Sequence, residues 1–281
     1  MIKKNIAFLA VFLFCVAIFT SACGGGGKNS SSDNSAYYYL LSQQNPNNQE
    51  NINNQQNPNN QQNPNNQQEE AVNPFAEAQE GSEVEFGRYP QTALDGSNPV
   101  KWQIQPIKWR VLARDEENKQ LLAISVDGLD AHCFDDNSDG SLTNVWGKSL
   151  IRTWLNGDGF YNRVLDDGTL VFTEDEKSFI KPVTLDNMSE SDNVFLLSGD
   201  IEGNGEANEY FEGNEARRCK TTEYAVANGA NTYNGYCIWC LRSNNPFNVN
   251  DVWCVSRGGK FGSCNVDAYE LAVRPAIWIK L

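Results

Sequence analysis

The sequence predicts an α+β domain in which short antiparallel strands and a few short helices are joined by long loops and stabilised by disulfides. Three observations lead to this class. Strand-like alternation occurs at both ends of residues 82–281, capped helical segments lie between, and six of the chain's eight cysteines fall in the same region. Its 200 residues suit one domain with a core of its own.

Strands are predicted where polar and apolar side chains alternate with a period of two. Residues 83–87 alternate and end at the turn 89–91, and residues 107–113 and 120–125 flank a polar turn, as in a hairpin. Apolar runs predict further strands at 194–198, 237–242, 252–256, 261–266 and 271–279, with a turn at Gly258 and Gly259.

Helices are predicted where capping residues precede apolar segments. Ser149 opens a helix that ends at Asn156 and Gly157. Thr173 and Glu176 have the capping-box spacing, which predicts a second helix through Ile180. Two shorter helices are predicted at 206–211 and 222–227.

The first 22 residues have the features of an export signal. Lys3 and Lys4 precede an apolar run at 6–19 and then small residues. This run is shorter than the roughly 20 residues that a membrane-spanning helix needs. The sequence TSAC at 20–23 is similar to the bacterial lipobox, which implies cleavage before Cys23 and lipidation of its thiol. We therefore expect a signal peptide at 1–22, a lipid anchor in the bacterial cell envelope and a domain on its extracytoplasmic or outer surface.

Residues 23–81 are predicted to contain the anchor and a disordered linker. Four hexads, three of them QQNPNN, follow one another from residue 43 to residue 66. Asn, Gln and Pro bury little apolar surface, and recurrent proline opposes the stacking of strands. The folded domain is therefore predicted to occupy residues 82–281.

The chain is acidic, with a formal net charge of −14. Basic surfaces are what bind nucleic acids and anionic lipids, so this charge argues against nucleic acid as a partner. The predicted contact with the membrane is made through the lipid at Cys23.

Six cysteines in an exported domain predict up to three disulfides. The predicted pairs are Cys219 with Cys237, Cys254 with Cys264, and Cys133 with Cys240, the last by elimination. Two alternatives stay open for the spacing of Cys237 and Cys240, a redox pair and a metal clip. A redox pair is expected at a helix N-terminus rather than in a strand. Zinc would need further ligands, although His132 is the chain's one histidine.

The loop at 134–141 contains Asp-x-Asn-x-Asp-Gly, in which Asp135, Asn137 and Asp139 are candidate calcium ligands. Oxygen ligands at alternating positions suit a hard cation. However, Trp146 stands where an EF-hand loop has its bidentate glutamate, and the same residue types favour a simple surface turn. Both interpretations remain open.

Arg152, Arg242 and Arg274 lie within apolar segments. Arginine is rarely buried unless it is paired. We therefore expect these side chains to form ion pairs with acidic residues such as Glu174 or Glu215.

A series of motifs along the chain is similar to a bacterial family of domains of unknown function. The motifs are FGRYPQ (86–91), IKWRVLA (107–113), SLIRTWLN (149–156), FTEDEKSFI (172–180), FLLS (195–198), EARRCKTTEYA (215–225), CIWCLRS (237–243) and VRPAIWIKL (273–281). The resemblance covers residues 83–281 and departs from the family in the seventh motif, where WWLRSP is usual. This family resembles the C-type-lectin-like superfamily, which includes the formylglycine-generating, sulfatase-modifying proteins. The resemblance implies a lectin-like fold whose first and last strands are neighbours, and it implies no particular activity.

The same resemblance indicates candidate sites. Lectin-like domains bind sugar near the region that corresponds to residues 242–251, where Arg242, Asn248 and Asp251 are candidate contacts, although the Glu-Pro-Asn calcium motif is absent. The sulfatase-modifying relatives use a cysteine pair for copper-dependent oxidation, which would fall here on Cys237 and Cys240.

We predict a lipid-anchored, non-catalytic protein that binds an unknown glycan or surface protein. No cofactor is expected beyond calcium at the 134–141 loop. One alternative is a copper- or thiol-dependent oxidase of the formylglycine-generating type. The other is a structural protein of the envelope.

Overall fold

Strands make up most of the regular structure in the computed structural model, which describes residues 71–95, 100–138, 140–185 and 188–281. Over these residues the chain forms two five-stranded sheets, one two-stranded hairpin and helices of at most seven residues. The predicted short strands, short helices and long loops are present, but the domain is mostly β. The helices therefore contribute less than an α+β class implies.

The first sheet combines both ends of the described region. Its strands are β1 (Glu83–Ala93), β2 (Trp102–Asp115), β3 (Gln120–Ser125), β5 (Ile180–Lys181) and β12 (Ala276–Lys280), in the order β1-β2-β3-β12-β5. The predicted hairpin is confirmed as β2 and β3, in which Arg110 pairs with Ile124. The first and last strands are not neighbours, which corrects the expectation from the resemblance. Consecutive hairpins place β2 and β3 between them, and β12 occupies the free edge of β3.

The second sheet is built from shorter strands. They are β4 (Asp130–Ala131), β8 (Trp239–Asn244), β9 (Asp251–Val255), β10 (Phe261–Asn265) and β11 (Ala272–Val273), in the order β10-β9-β8-β11-β4. The pairing of β8 with β9 is irregular between Cys240 and Asn244, and β11 pairs with β8 in parallel. A separate hairpin joins β6 (Thr232–Tyr233) to β7 (Tyr236–Cys237).

Five short α-helices connect the described strands. They are α1 (Leu150–Asn156), α2 (Glu174–Phe179), α3 (Glu206–Glu209), α4 (Gly213–Arg217) and α5 (Glu223–Ala227), and a 3₁₀ turn covers Trp146–Lys148. The predicted caps are confirmed. Ser149 accepts a hydrogen bond from the backbone N–H of Arg152, and Thr173 and Glu176 form the capping box. Helix α4 was not predicted, because its first residue is a glycine and its sequence has no apolar period.

Four predicted strands differ in the structure. The strand predicted at 83–87 continues through its predicted turn at 89–91 as β1, and the one predicted at 237–242 is divided into β7 and β8. Residues 194–197 are buried and contact the sheets through a bridge between Phe195 and Ala276 and a hydrogen bond from the Arg242 N–H to the Leu197 carbonyl. The predicted strand at 271–279 is divided into β11 and β12 at Arg274 and Pro275. Proline has no N–H to donate to a ladder, which explains the break.

Aromatic side chains fill the core beneath the first sheet. Trp109 is fully buried, and its indole N–H donates to the carbonyl of Phe86 at 2.7 Å. Phe86 packs against Phe172 with ring centroids 5.5 Å apart. Gly87 makes this contact possible, since its φ is +67° and a Cβ there would lie 2.6 Å from the Phe172 ring.

The folded domain begins before the predicted boundary at residue 82. Phe75 is fully buried against Phe86, and the Asn73 side-chain amide donates to the carbonyl of Lys280 at 2.7 Å. Arg114 donates to the carbonyls of Ala76 and Ala78. The sequence Asn-Pro-Phe brings one aromatic side chain into the core, so residues 73–81 belong to the domain rather than to the linker.

The predicted signal peptide at 1–22, the lipidation site Cys23 and the linker up to residue 70 lie outside the described residues. Within the described ranges, no helix is long and apolar enough to cross a membrane. The lipid anchor therefore stays a prediction from the sequence.

Candidate functional site

Two hollows meet at the end of β8 and share Ser243 and Asn244. The larger has a volume of about 410 Å³ and is also lined by Trp146 and Met188. The smaller, of about 250 Å³, is also lined by Asp200, Glu202, Pro246, Phe247 and Trp253. We call the two together the cleft. The larger volume lies in the range of about 300–1,000 Å³ that small-molecule sites occupy.

Arg242 lies at the base of the larger hollow and is held by an ion pair. It is buried, and its guanidinium donates to the Glu206 carboxylate and, at 2.9 Å, to the carbonyl of Leu196. Glu206 also accepts from the backbone and hydroxyl of Ser198. The expected pairing of Arg242 with a carboxylate is thus present, and it attaches β8 to α3.

Trp146 forms one wall of the larger hollow and is fixed from behind. Its indole N–H donates to Asp192 at 2.8 Å, and the same carboxylate accepts from Arg152 at 2.7 Å. Burial raises the pKa of Asp192, while Trp146 and Arg152 act in the opposite direction. Because Asp192 has no exposed surface, the wall depends on this pairing.

The loop between β8 and β9 is held by one side chain that the sequence analysis missed. The Asn144 amide donates to three backbone carbonyls, those of Asn245, Asn248 and Asp251, at 3.0–3.2 Å. Asn144 is buried and lies outside every predicted helix and strand. Nothing in the local sequence distinguishes it from a solvated loop asparagine.

The three predicted contact residues have different positions. Arg242 lines the larger hollow, whereas Asn248 is exposed and its Oδ1 accepts from the backbone of Asn250. Asp251 accepts from the Ser263 hydroxyl at 2.7 Å through Oδ2, and its buried Oδ1 has no partner among the described residues. Asn248 and Asp251 therefore shape the loop rather than line the cleft.

Exposed apolar side chains surround the cleft. Phe247 is 75% exposed, Val249 69% and Val145 49%. Single exposed apolar residues are common, but Val145 and Phe247 line the two hollows themselves. The cleft therefore offers aromatic and aliphatic surface next to the amide of Asn244 and the hydroxyl of Ser243.

One predicted disulfide is present in the structure. Cys254 in β9 and Cys264 in β10 are bonded across the turn at Gly258 and Gly259, with Cα atoms 6.1 Å apart. The other four cysteines of the domain are buried thiols. Of the up to three bridges that were predicted, the structure contains this one, and the other two pairings stay predictions.

Cys219 and Cys237 lie side by side, as predicted, but as thiols, and the Cys237 thiol donates to the carbonyl of Cys219 at 3.4 Å. The hydrogen bond with Cys219 and burial raise the pKa of Cys237. Burial also acts to raise the pKa of Cys219, yet the hydrogen bond and the charge of Arg274 bring it below its ordinary value. This bridge stays a prediction, with the two side chains already in contact.

Cys133 and Cys240 are less closely associated. Burial raises the pKa of Cys133 to about 11, and Tyr269 hydrogen-bonds its thiol. Burial also raises the pKa of Cys240, whose thiol donates to the carbonyl of Leu241. Cys240 lies opposite Cys254 in the β8–β9 pairing, so the Cys237-x-x-Cys240 motif does not bring its own two thiols together.

The candidate calcium loop is organised by its own hydrogen bonds. Asp135 is buried and accepts from the backbone of Thr143 at 2.7 Å, and Asn137 has a positive φ of 58°. Asp139 lies outside the described residues. Among those described, no three His, Cys, Asp or Glu side chains form a group that could hold a metal ion.

Residues 118–281, more than half of the chain, match the model of a family described as a domain of unknown function, DUF6273. The chain belongs to the DUF6273 family. No curated protein and no solved structure matches it. The DUF6273 match includes the cleft and all six cysteines of the domain, but it begins after the whole of β1 and β2. The resemblance seen in the sequence begins at residue 83, whereas the DUF6273 model matches the chain only from residue 118.

Proposed function

We propose that this DUF6273 protein is a non-catalytic binding protein, anchored to the outer face of a bacterial membrane by a lipid on Cys23, and that its ligand is a glycan or a protein of the cell surface. The cleft carries the proposal. It combines two adjoining hollows, exposed aromatic surface and hydrogen-bonding groups. Sites that select polar ligands use this combination, because apolar walls supply area and a few polar groups fix orientation.

The rigidity of the cleft supports recognition. Trp146 is fixed by Asp192, Arg242 by Glu206, and the loop at 245–251 by Asn144. Side chains that are already ordered lose little conformational entropy when a ligand binds. A preformed cleft therefore suits a binding function.

We further propose that the fold is a variant of the C-type-lectin-like fold. Two mostly antiparallel sheets, long loops, a disulfide within the second sheet and terminal strands in one sheet support this assignment. The separation of β1 from β12 by two strands is the point at which it departs from the expected pairing. We propose calcium only as a second ligand. Asp135, Asn137 and Asp139 of the loop at 134–141 would bind it.

Binding of the full chain to a glycan array, with and without calcium, tests the proposed function. Two variants remove cleft groups, Asn244→Ala and Phe247→Ser. We expect each to weaken binding about tenfold or more, as residues at the centre of an interface do. A surface-plasmon titration of the best glycan measures the change.

Tyr233→Ser is the matched control, because it removes another exposed aromatic side chain, 68% exposed, from the distant β6–β7 hairpin. It should leave the affinity unchanged. Equal binding by both cleft variants would place the ligand elsewhere. A blank array combined with no saturable binding to isolated envelope proteins would favour the structural alternative.

A further inference from the structure

A second hollow lies beside Tyr236 of β7 and differs from the cleft in its charge. It has a volume of about 320 Å³ and lies where the two sheets meet. We call it the basic pocket. Its lining includes Arg110, Asp127, Arg218, Lys220, Tyr236 and Arg274. Four basic and two acidic side chains line it, the second acid being Glu215. This positive excess occurs in a chain with a net charge of −14.

Arg274 forms the floor of the basic pocket and has one donor group left over. The side chain is 1% exposed and lies over the rings of Phe211 and Trp239. Nε donates to the carbonyl of Ser125 at 3.0 Å and Nη2 contacts the carbonyl of Val126 at 3.5 Å. Nη1 is buried with no hydrogen-bond partner among the described residues.

The missing partner of Arg274 is a departure from a strong rule. A buried guanidinium is normally paired with a carboxylate, as Arg152 and Arg242 are in this domain. Leaving a charged donor unsatisfied costs more than leaving a neutral one. The Nη1 group therefore indicates a place where an acceptor is expected.

Two more donors belong to the same pocket. Arg218 stacks on Tyr236, with its guanidinium carbon 3.6 Å from the ring centroid, and its buried Nε has no partner among the described residues. Its Nη1 donates to Glu215. Lys220 is exposed, and its ammonium forms no ion pair within 4 Å with a described residue. Stacking holds the Arg218 donor in place without occupying it.

We propose that the basic pocket binds a tetrahedral oxyanion, a sulfate or phosphate group. The available donors come from three side chains, Arg218, Lys220 and Arg274, rather than from one guanidinium edge. The side-on fork of Arg274 is occupied, because its Nε and Nη2 already bind carbonyls. A planar carboxylate prefers such a fork, whereas a group with three or four oxygens accepts from several directions. The site is separate from the cleft and does not depend on the proposed function.

Asp127 opposes the binding of an anion, because it is an acidic side chain that lines the pocket. Burial raises the pKa of this carboxyl group, and the charges of Arg274 and Lys220 oppose the increase. Arg110 is paired with Glu83, and Glu215 is paired with Arg218. The anion thus faces an excess of positive charge. Among the described residues of the pocket, Asp127 is the only acid without an ion pair.

Calorimetric titration of the full chain with inorganic sulfate, inorganic phosphate and acetate, at constant ionic strength, tests the site. We expect one saturable site for sulfate and phosphate and weaker binding of acetate. Arg218→Gln should lower the affinity about tenfold, the usual effect of losing a charged hydrogen bond. Lys220→Gln should have a smaller effect in the same direction. In ¹⁵N spectra of arginine side chains, the Arg218 Nε–Hε signal should shift on titration.

Controls separate this site from the cleft and from general charge effects. Lys260→Gln removes one positive charge from an exposed position outside the residues that line the pocket and should not change the affinity. Asn244→Ala, in the cleft, should bind sulfate normally. Phenyl phosphate compared with inorganic phosphate distinguishes an ester on a larger ligand from the free ion, and either result is consistent with the site. Absence of saturable binding, equal binding of acetate, or equal losses in Arg218→Gln and Lys260→Gln would overturn the proposal.

Discussion

The two five-stranded sheets are stabilised by different means. Beneath the first sheet, large aromatic side chains such as Trp109 and Phe86 pack with no exposed surface or almost none. The second sheet has shorter strands, and the domain's six cysteines lie in it, next to it or in the β6–β7 hairpin. Its connections are held by side chains that bind backbone groups, such as Asn144.

This difference places the hollows in the less regular half of the molecule. The cleft opens at the interruption in the β8–β9 pairing, and the basic pocket opens where the second sheet meets the first. Regular sheets leave few backbone groups and little space for ligands. The first sheet therefore holds the large aromatic side chains, and the second borders the cleft.

The largest expected effect is in the first sheet. Trp109→Ala should destabilise the domain by about 3–5 kcal/mol, because it leaves a cavity and removes the hydrogen bond to Phe86. Urea unfolding followed by circular dichroism measures the loss. A loss below about 1 kcal/mol would mean that the aromatic core does not hold the first sheet together.

The next effect is in the second sheet. Replacing both Cys254 and Cys264 by serine opens a link between residues 10 apart in sequence. Loop-closure entropy predicts a loss of roughly 2–3 kcal/mol. The same unfolding experiment compares this loss with that of Trp109→Ala, and reduction of the parent chain provides the control. An unchanged midpoint would show that the strands β9 and β10 do not need the bridge.

A smaller and more local effect is expected at Asn144. Asn144→Ala leaves three carbonyls of the loop at 245–251 without this donor and should destabilise the domain by about 1–3 kcal/mol. Amide exchange should increase in the loop and not in the first sheet. Asn118→Ala, in the exposed β2–β3 turn, is the matched control. Uniformly faster exchange would argue that the two sheets unfold as one unit.

The smallest effect concerns the junction of the sheets and depends on pH. Because burial raises the folded pKa of Asp127 above 3.8, its contribution to stability is fully present below that value and is lost as the pH rises through the folded pKa. Asp127→Asn should therefore gain stability relative to the parent chain at neutral pH and not in acid. The urea midpoints of the parent chain and of Asp127→Asn, measured from acid to neutral pH, give the difference in stability. A constant difference would contradict the assigned cause.

Local patterns were sufficient to predict much of the first sheet and the helix caps. Strand β3 has the predicted limits, and the caps at Ser149 and Thr173 are present, since these features depend on neighbouring residues. The contacts that build the cleft and the basic pocket join residues far apart in sequence. Asn144 and Asp251 are 107 residues apart, and Arg274 and Ser125 are 149 apart. No spacing rule connects such pairs, so Asn144 was missed and Arg274 was expected to have a carboxylate partner.

The burial of Phe75 and the bond between Asn73 and Lys280 fix the point at which the preceding chain enters the domain. Tension applied through that chain would load the edge of the first sheet, whose aromatic packing resists extension. Strand β8, which borders the cleft, belongs to the second sheet. Under the proposed function, attachment at Asn73 and Phe75 and ligand contact at the cleft therefore involve different sheets.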